Sequence, residues 1–306
     1  MKHLISISDL TSEELNEIIR LAEKLKEERY KGIATDYLKN KSLAMIFELP
    51  STRTRISFEV AMTELGGHAL YLNWNDLQLG RGEPIKDTAR VLSRYVHAIM
   101  LRVKNHATLL EFAKYSTIPI INGLSNLEHP CQVLADLLTI REYKGDLRDV
   151  TLAWVGDGNN VCNSLILASA LTGMKIIVST PEGYDPNPDV VKKAVQIGGE
   201  VLFEKNPKKA VEKADVIYTD VWVSMGHEEE RTERLKAFIG YQVSDELLKL
   251  SSDDVVVMHC LPAHRGEEIT DEVIEGKHSI IFEQAENRLH IQKAILLKLI
   301  GGEEYD

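Results

Sequence analysis

The sequence predicts an α/β protein of two domains, each a mostly parallel sheet flanked by helices. Short β-branched apolar runs alternate with amphipathic helical stretches through nearly the whole chain, the pattern of parallel strands joined by crossover helices. The 306 residues leave room for two cores of ordinary size. The strand-like runs also fall into two series, separated by the hydrophilic stretch Tyr143-Lys-Gly-Asp-Leu-Arg-Asp149.

The first series of expected strands is 42–47, 68–72, 98–103 and 119–121; the second is 151–155, 175–179, 216–220, 255–259 and 279–282. Domains are expected at 1–143 and 150–285, with a last helix in 286–306 packing back on the first. Helix ends are readable between the strands. Thr11 and Glu14 form a capping box ahead of Leu15, Ile18, Ile19 and Leu21, and Gly66-Gly67 ends the helix that starts near Ser51. Pro84 and Pro130 are placed as first-turn prolines.

Charge narrows the function classes. Lys+Arg 36 against Asp+Glu 47 gives −11, a field that repels nucleic acid and anionic membrane surfaces, so neither is an expected partner. A small anion is compatible only with locally concentrated cations. Cys131, Cys162 and Cys260 are odd in number and lack C-x-x-C spacing, which argues against a disulfide framework and a zinc ribbon and fits a reducing cytosol. The opening residues show neither a signal-peptide pattern nor an apolar run approaching the roughly 20 residues of a spanning helix, so a cytoplasmic location is expected.

One segment has the required cations. The run Ser42-Leu-Ala-Met-Ile-Phe47 leads into Ser51-Thr-Arg-Thr-Arg55 at a helix start, where free N–H groups and the positive end of the helix dipole favour an anion. Hydroxyls of Ser51, Thr52 and Thr54 add donors, and Arg53 and Arg55 add guanidinium groups suited to phosphate. The same segment also reads as a capped helix with a solvated basic face. In the second half, Val155-Gly-Asp-Gly-Asn-Asn160 follows a strand but lacks the third glycine of G-x-G-x-x-G, Val161 coming next, so no nucleotide cofactor is inferred. No metal is called for. The charged run His227-Glu-Glu-Glu-Arg-Thr-Glu-Arg234 reads as a solvated helix face.

Three more strings complete a pattern: His129-Pro-Cys-Gln132, Asp220-Val-Trp-Val-Ser-Met-Gly226 and His259-Cys-Leu-Pro-Ala-His-Arg-Gly266. With Ser-Thr-Arg-Thr-Arg, in this order and spacing, the chain resembles the aspartate/ornithine carbamoyltransferase family over nearly its full length. The resemblance implies a first domain that binds carbamoyl phosphate, a second that binds the amino acid, and an active site in the interdomain cleft. It assigns carbamoyl phosphate to Ser51, Thr52, Arg53, Thr54, Gln78, Arg102, His129, Pro130, Cys131, Gln132, Cys260, Leu261 and Arg288. Asn160, Asp220, Ser224 and Met225 are assigned to ornithine, with Arg102, His129, Cys260 and Asp220 nearest the chemistry.

The residues are compatible with this on independent grounds, because Asn160, Asp220 and Cys260 fall just after expected strands, where open α/β sheets bind ligands. An Arg in the first turn of the last helix, the expected place of Arg288, opposes the helix dipole and so suits a ligand purpose. The implied reaction is attack of ornithine's neutral δ-amine on carbamoyl phosphate, giving L-citrulline and phosphate in arginine metabolism, without a cofactor. Gln78 lies in a loop that the resemblance sends into a neighbouring subunit, implying a homo-oligomer, a trimer or a multiple of one. Leu49 replaces a Lys common in the family. Other acceptors (putrescine, N-acetylornithine, aspartate), a non-catalytic anion-binding protein and a dinucleotide-binding dehydrogenase are the rival readings.

Overall fold

The structure is a computed structural model that describes residues 1–224 and 228–301. By its internal contacts the chain divides into two units, Met1–Leu138 with Glu286–Asp306, and Thr139–Ala285.

The first unit starts with helix α1 (Ser12–Tyr30) and continues as β1 (Ser42–Phe47), α2 (Thr52–Glu64), β2 (His68–Asn73), α3 (Ile85–Leu92), β3 (Ala98–Arg102), α4 (His106–Tyr115) and β4 (Ile120–Leu124). Its four strands are all parallel, in the order β2-β1-β3-β4. Ala44, Ile46, Ile99 and Leu101 on one face pack with Ala89 of α3 and Leu109 and Phe112 of α4, and the intervening Leu43, Met45 and Met100 are buried too. Burial on both faces is what a parallel sheet demands, and it explains why these strands read as unbroken apolar runs.

The chain then runs through α5 (Pro130–Lys144) into β5 (Thr151–Val155), α6 (Asn160–Thr172), β6 (Lys175–Ser179), α7 (Pro188–Ile197), β7 (Val201–Phe203) and α8 (Pro207–Val211). It continues with β8 (Val216–Thr219), α9 (Arg231–Ala237), α10 (Asp245–Leu248), β9 (Val256–His259), α11 (Asp271–Ile274) and α12 (Ile281–Ile300). The second sheet is again parallel, ordered β7-β6-β5-β8-β9. Residues 161 to 169 of α6 are all buried, as expected of a helix that is apolar on every side.

Both sheets reverse direction beside their first strand, between β1 and β3 and between β5 and β8. Loops leaving the carboxyl ends of strands flanking such a reversal splay apart and leave a crevice, the usual ligand position in open α/β sheets. The Ser-Thr-Arg-Thr-Arg run follows β1 and Arg102 ends β3; Asn160 follows β5 and Asp220 follows β8.

Three expectations need correction. Segment 279–282 is not a strand: Ser279 makes one isolated bridge to Val257, and α12 already begins at Ile281. A short apolar run has no period to separate strand from buried helix, and here the helical continuation decided it. Arg288 consequently lies two turns inside α12 and not in its first turn, so the dipole argument for a ligand role falls away. The short strand β7 went unread because Leu202 and Phe203 are exposed at a sheet edge and leave no buried pattern. Pro84 is the N-cap of α3, while Pro130 is the first residue of α5.

Candidate active site

In the first unit the geometry grows from the start of α2. Ser51 is extended (φ −161°, ψ 117°) and its hydroxyl accepts the Thr54 N–H at 3.2 Å, capping the helix. No acidic residue occupies the first turn of α2, so the dipole's positive end is not neutralised locally. Thr54 is fully buried, and its Oγ1 accepts from Arg288 Nη2 at 3.0 Å. The other guanidinium nitrogen, Arg288 Nη1, donates to Gln132 Oε1 at 2.6 Å, and Gln132 Nε2 donates to Asp136 Oδ1 at 2.8 Å. Residues 54, 132 and 288, far apart in sequence, are thus one hydrogen-bonded set.

Next to it are two more buried groups. Arg102 is 6% exposed and His129 5%, and the His129 carbonyl accepts the N–H groups of Gln132 and Val133 at the entry to α5. Burial pushes the His129 imidazole well below its usual range, and the charges of Arg288, Arg102 and Arg53 push it the same way. The ring is therefore neutral near pH 7 and available as an uncharged hydrogen-bond donor. Two buried guanidinium groups, Arg102 and Arg288, thus lie in one cluster, an arrangement whose electrostatic cost an anion such as phosphate would offset.

The remaining first-unit residues are placed less centrally. Cys131 donates its thiol to the Asn122 carbonyl at 3.4 Å, and burial pushes its pKa up to about 12, which leaves its backbone as the only part able to meet a ligand. Pro130 likewise offers only its carbonyl oxygen, having no N–H. Thr52 is exposed at the start of α2. Gln78 is exposed in a short turn after β2 and shares no hydrogen bond with the cluster among the described residues.

In the second unit Asp220 is the first residue after β8 and is 6% exposed. Its Oδ1 accepts the Val221 N–H at 2.8 Å and the Cys260 thiol at 3.1 Å; its Oδ2 accepts the Asn159 amide at 2.7 Å. Cys260 follows β9, and the next residue, Leu261, is held at φ +58°, a conformation uncommon outside glycine that concentrates at functional loops. Asn160 opens α6 one position past the cap Asn159, and Ser224 is half-buried after Asp220. Met225 lies outside the described residues.

Several groups here have no role assigned from the sequence. His259 Nε2 faces Glu268 Oε1 at 3.0 Å, both side chains fully buried, while His259 Nδ1 accepts the Leu261 N–H at 2.8 Å. That ring fixes the backbone turn carrying Cys260 and Leu261. Arg234 corrects the solvated-face reading of 227–234: it is 7% exposed, its Nη1 donates to Asp157 Oδ2 and to the Trp222 carbonyl, each at 3.0 Å, and it lies 5.0 Å from the Tyr184 ring centroid. It ties the loop after β5 to the loop after β8. Ligating atoms of Asp220, His259 and Cys260 lie within 4.8 Å of one another, but each already serves the hydrogen bonds above, so the trio acts as a positioning network.

Family comparison matches both units. The carbamoyl-P binding domain of aspartate/ornithine carbamoyltransferase matches residues 2–142, and the Asp/Orn binding domain matches residues 148–299. The chain belongs to the aspartate/ornithine carbamoyltransferase family. Within it, the chain is 78% identical over 303 residues, 99% of each protein, to an ornithine carbamoyltransferase of Archaeoglobus fulgidus. It is 58% identical to that of Methanoculleus marisnigri, over 98% of this chain and 97% of the relative. Among solved structures it is similar to ornithine carbamoyltransferase from Pyrococcus furiosus (TM-score 0.95, 53% identity, covering 99% of this chain and 98% of that one). The enzyme from Thermus thermophilus follows at TM-score 0.90 and 46% identity, covering 98% and 99%.

Proposed function

We propose that this chain transfers the carbamoyl group of carbamoyl phosphate to the δ-amine of L-ornithine, releasing L-citrulline and phosphate. The observation that carries the acceptor assignment is Asp220: a nearly buried carboxylate beside the strand reversal, fixed by three uncharged donors and so able to meet an ammonium group. An acceptor with a side-chain carboxylate would need a further cation on this unit, whereas the segment after Asp220 is rich in Glu.

In this reading the Ser51, Thr52, Arg53 and Thr54 cradle holds the phosphate with Arg102 and Arg288, and Gln132 and the backbone of Pro130, Cys131 and Leu261 hold the carbamoyl amide. Arg102, Thr54 and the neutral His129 ring donate to the carbamoyl oxygen as it gains negative charge. Donors already in place need no reorganisation when charge develops, and each is worth about 10²–10³ in rate. The nucleophile must lose its proton: for an amine of pKa about 10.4, holding it neutral at pH 7 costs roughly 4.6 kcal/mol. Asp220 takes the α-ammonium, with Asn160, Ser224 and Met225 on the rest of the α-amino acid end, and Cys260 lies against the free δ-amine. Phosphate leaves without a covalent enzyme intermediate.

The family resemblance supports a homotrimer, with Gln78 supplied to a neighbour, and a role in arginine biosynthesis. Three free thiols support a cytoplasmic setting, and no described helix is long and apolar enough to cross a membrane. The deciding experiment is a steady-state assay of carbamoyl transfer with ornithine, N-acetylornithine, putrescine and aspartate as acceptors. Citrulline formation from ornithine far above the others is expected; preference for any other acceptor overturns the proposal.

A further inference from the structure

We propose that Asn159, next to the expected ornithine contact Asn160, is a positioning residue that sets the Asp220 carboxylate for the ammonium group of the acceptor. The inference rests on the reading of Asp220 as the ammonium acceptor.

Asn159 has two jobs, and its two amide atoms divide them. Its Oδ1 accepts the N–H groups of Val161 at 2.9 Å and Cys162 at 3.2 Å, capping α6. Those two donors fix which way the amide faces, since only an oxygen can accept them. The NH₂ end is thereby aimed at Asp220 Oδ2, at 2.7 Å. The carboxylate receives donors from three separate loops: Asn159 after β5, Val221 after β8, and Cys260 after β9. An ionised carboxylate has about four acceptor positions. With three of them filled in fixed directions, the last is left pointing one way for an incoming ammonium. None of the three donors carries a full positive charge, so the carboxylate's charge stays uncompensated by them. The helix start that presents Asn160 and the carboxylate that takes the ammonium are thus set by one side chain. An Asp or Ser at 159 could cap α6 equally well, but an ionised Asp has no donor and a Ser hydroxyl sits on a shorter side chain, so neither reproduces the amide's hold on Asp220.

Two variants separate the jobs. Asn159→Ser keeps a capping oxygen and replaces the amide NH₂ that reaches Asp220 with a shorter hydroxyl. Asn159→Asp keeps the cap and sets a second carboxylate against the first, so that one of the pair holds a proton near neutral pH. The ligand is norvaline, which has the α-amino and carboxylate groups but no δ-amine of its own to titrate, measured by calorimetry on the carbamoyl phosphate- or phosphate-loaded enzyme. Asn159→Ser is expected to weaken norvaline binding and raise the ornithine KM by about 10- to 100-fold, the worth of one hydrogen bond to a charged group. Its kcat, its carbamoyl phosphate affinity and its thermal midpoint should change far less. Asn159→Asp should make norvaline binding take up or release a proton, seen as a heat that depends on the buffer, where the wild type shows none.

Unchanged norvaline affinity in Asn159→Ser overturns the proposal. So does a loss matched by equal losses in thermal midpoint and carbamoyl phosphate affinity, because that pattern belongs to a cap alone. Asp220→Asn is the control on the underlying reading. If it binds norvaline like the wild type, the ammonium assignment fails; if it loses norvaline while Asn159→Ser does not, only the positioning role fails.

Discussion

Replacing Arg288 by Met tests the anion cradle most directly, because it removes a charge while keeping a long side chain in a site where Arg288 is only 3% exposed. The hydrogen bonds to Thr54 and to Gln132 disappear, and with them the guanidinium proposed to face phosphate. One hydrogen bond to a charged group is worth about 1.5–3 kcal/mol, so carbamoyl phosphate and inorganic phosphate should bind about 10- to 150-fold more weakly. A second consequence is independent of any ligand. Arg288 is the largest of the three charges that depress His129, after burial itself, so the His129 pKa should move back toward the ordinary histidine value. Calorimetric titration with phosphate gives the first quantity and NMR titration of the His129 ring gives the second. A folded Arg288→Met protein with unchanged phosphate affinity and an unmoved His129 would refute the cradle.

Other outcomes follow from the same geometry. Arg53→Ala should weaken carbamoyl phosphate binding far more than norvaline binding to the loaded enzyme; equal losses in separate equilibrium titrations would remove Arg53 from the phosphate role. Arg234→Gln leaves the buried Asp157 carboxylate without its cation, a change of about 3–5 kcal/mol in stability by urea unfolding, and it should raise the ornithine KM through the loops it joins. Gly158→Ala drives a Cβ to 2.3 Å from the Pro186 nitrogen and 2.4 Å from the Asp185 carbonyl carbon. Both are backbone atoms, so the loop after β5 must shift, and ornithine affinity should fall while phosphate affinity holds. Because folding lowers the His129 pKa, the unfolded chain binds more protons below about pH 6.5; stability is full above that pH and is lost as pH falls, by up to about 1.4 kcal/mol per unit from this one group. His129→Gln should flatten that slope in pH-dependent urea melts; an unaltered slope counts against a neutral buried ring.

What could be read from the sequence was whatever depends on neighbours in the chain. The strand 42–47 and the hydroxyl-rich helix start after it are local patterns, and they appear in the structure as β1 and the Ser51 cap. The capping box of α1 is equally local, with Thr11 and Glu14 bonding each other's backbone as the spacing requires. Arg288 shows the limit. Its position near the last helix was legible, yet its turn within that helix depended on where an apolar run stops behaving as a strand, and Ser279-Ile-Ile-Phe282 has no period to say. Arg234 shows a second limit: in a run of Glu and Arg, one guanidinium is buried because Asp157 and Tyr184 come from elsewhere in the chain. Asn159, His259 and Glu268 were passed over for the same reason, since their partners lie 61 and 9 residues away and no local pattern connects them.

The chain's net charge of −11 and its proposed dianionic substrate look contradictory until distance is considered. Exposed carboxylates act through water, and at physiological salt their fields decay over about 8 Å. The Arg102 and Arg288 guanidinium groups act from inside, where screening is weak and each charge counts for several times more. A local cluster of buried guanidinium groups can therefore override an acidic surface for a ligand that enters the pocket. The same reasoning explains the opposite arrangement on the second sheet. There Asp220 is held by neutral donors and, among the described residues, by no lysine or arginine; under the proposed function a fixed cation would occupy the place of the acceptor's own ammonium. Charge is thus sorted between the two sheets by which partner is to bring the counter-charge.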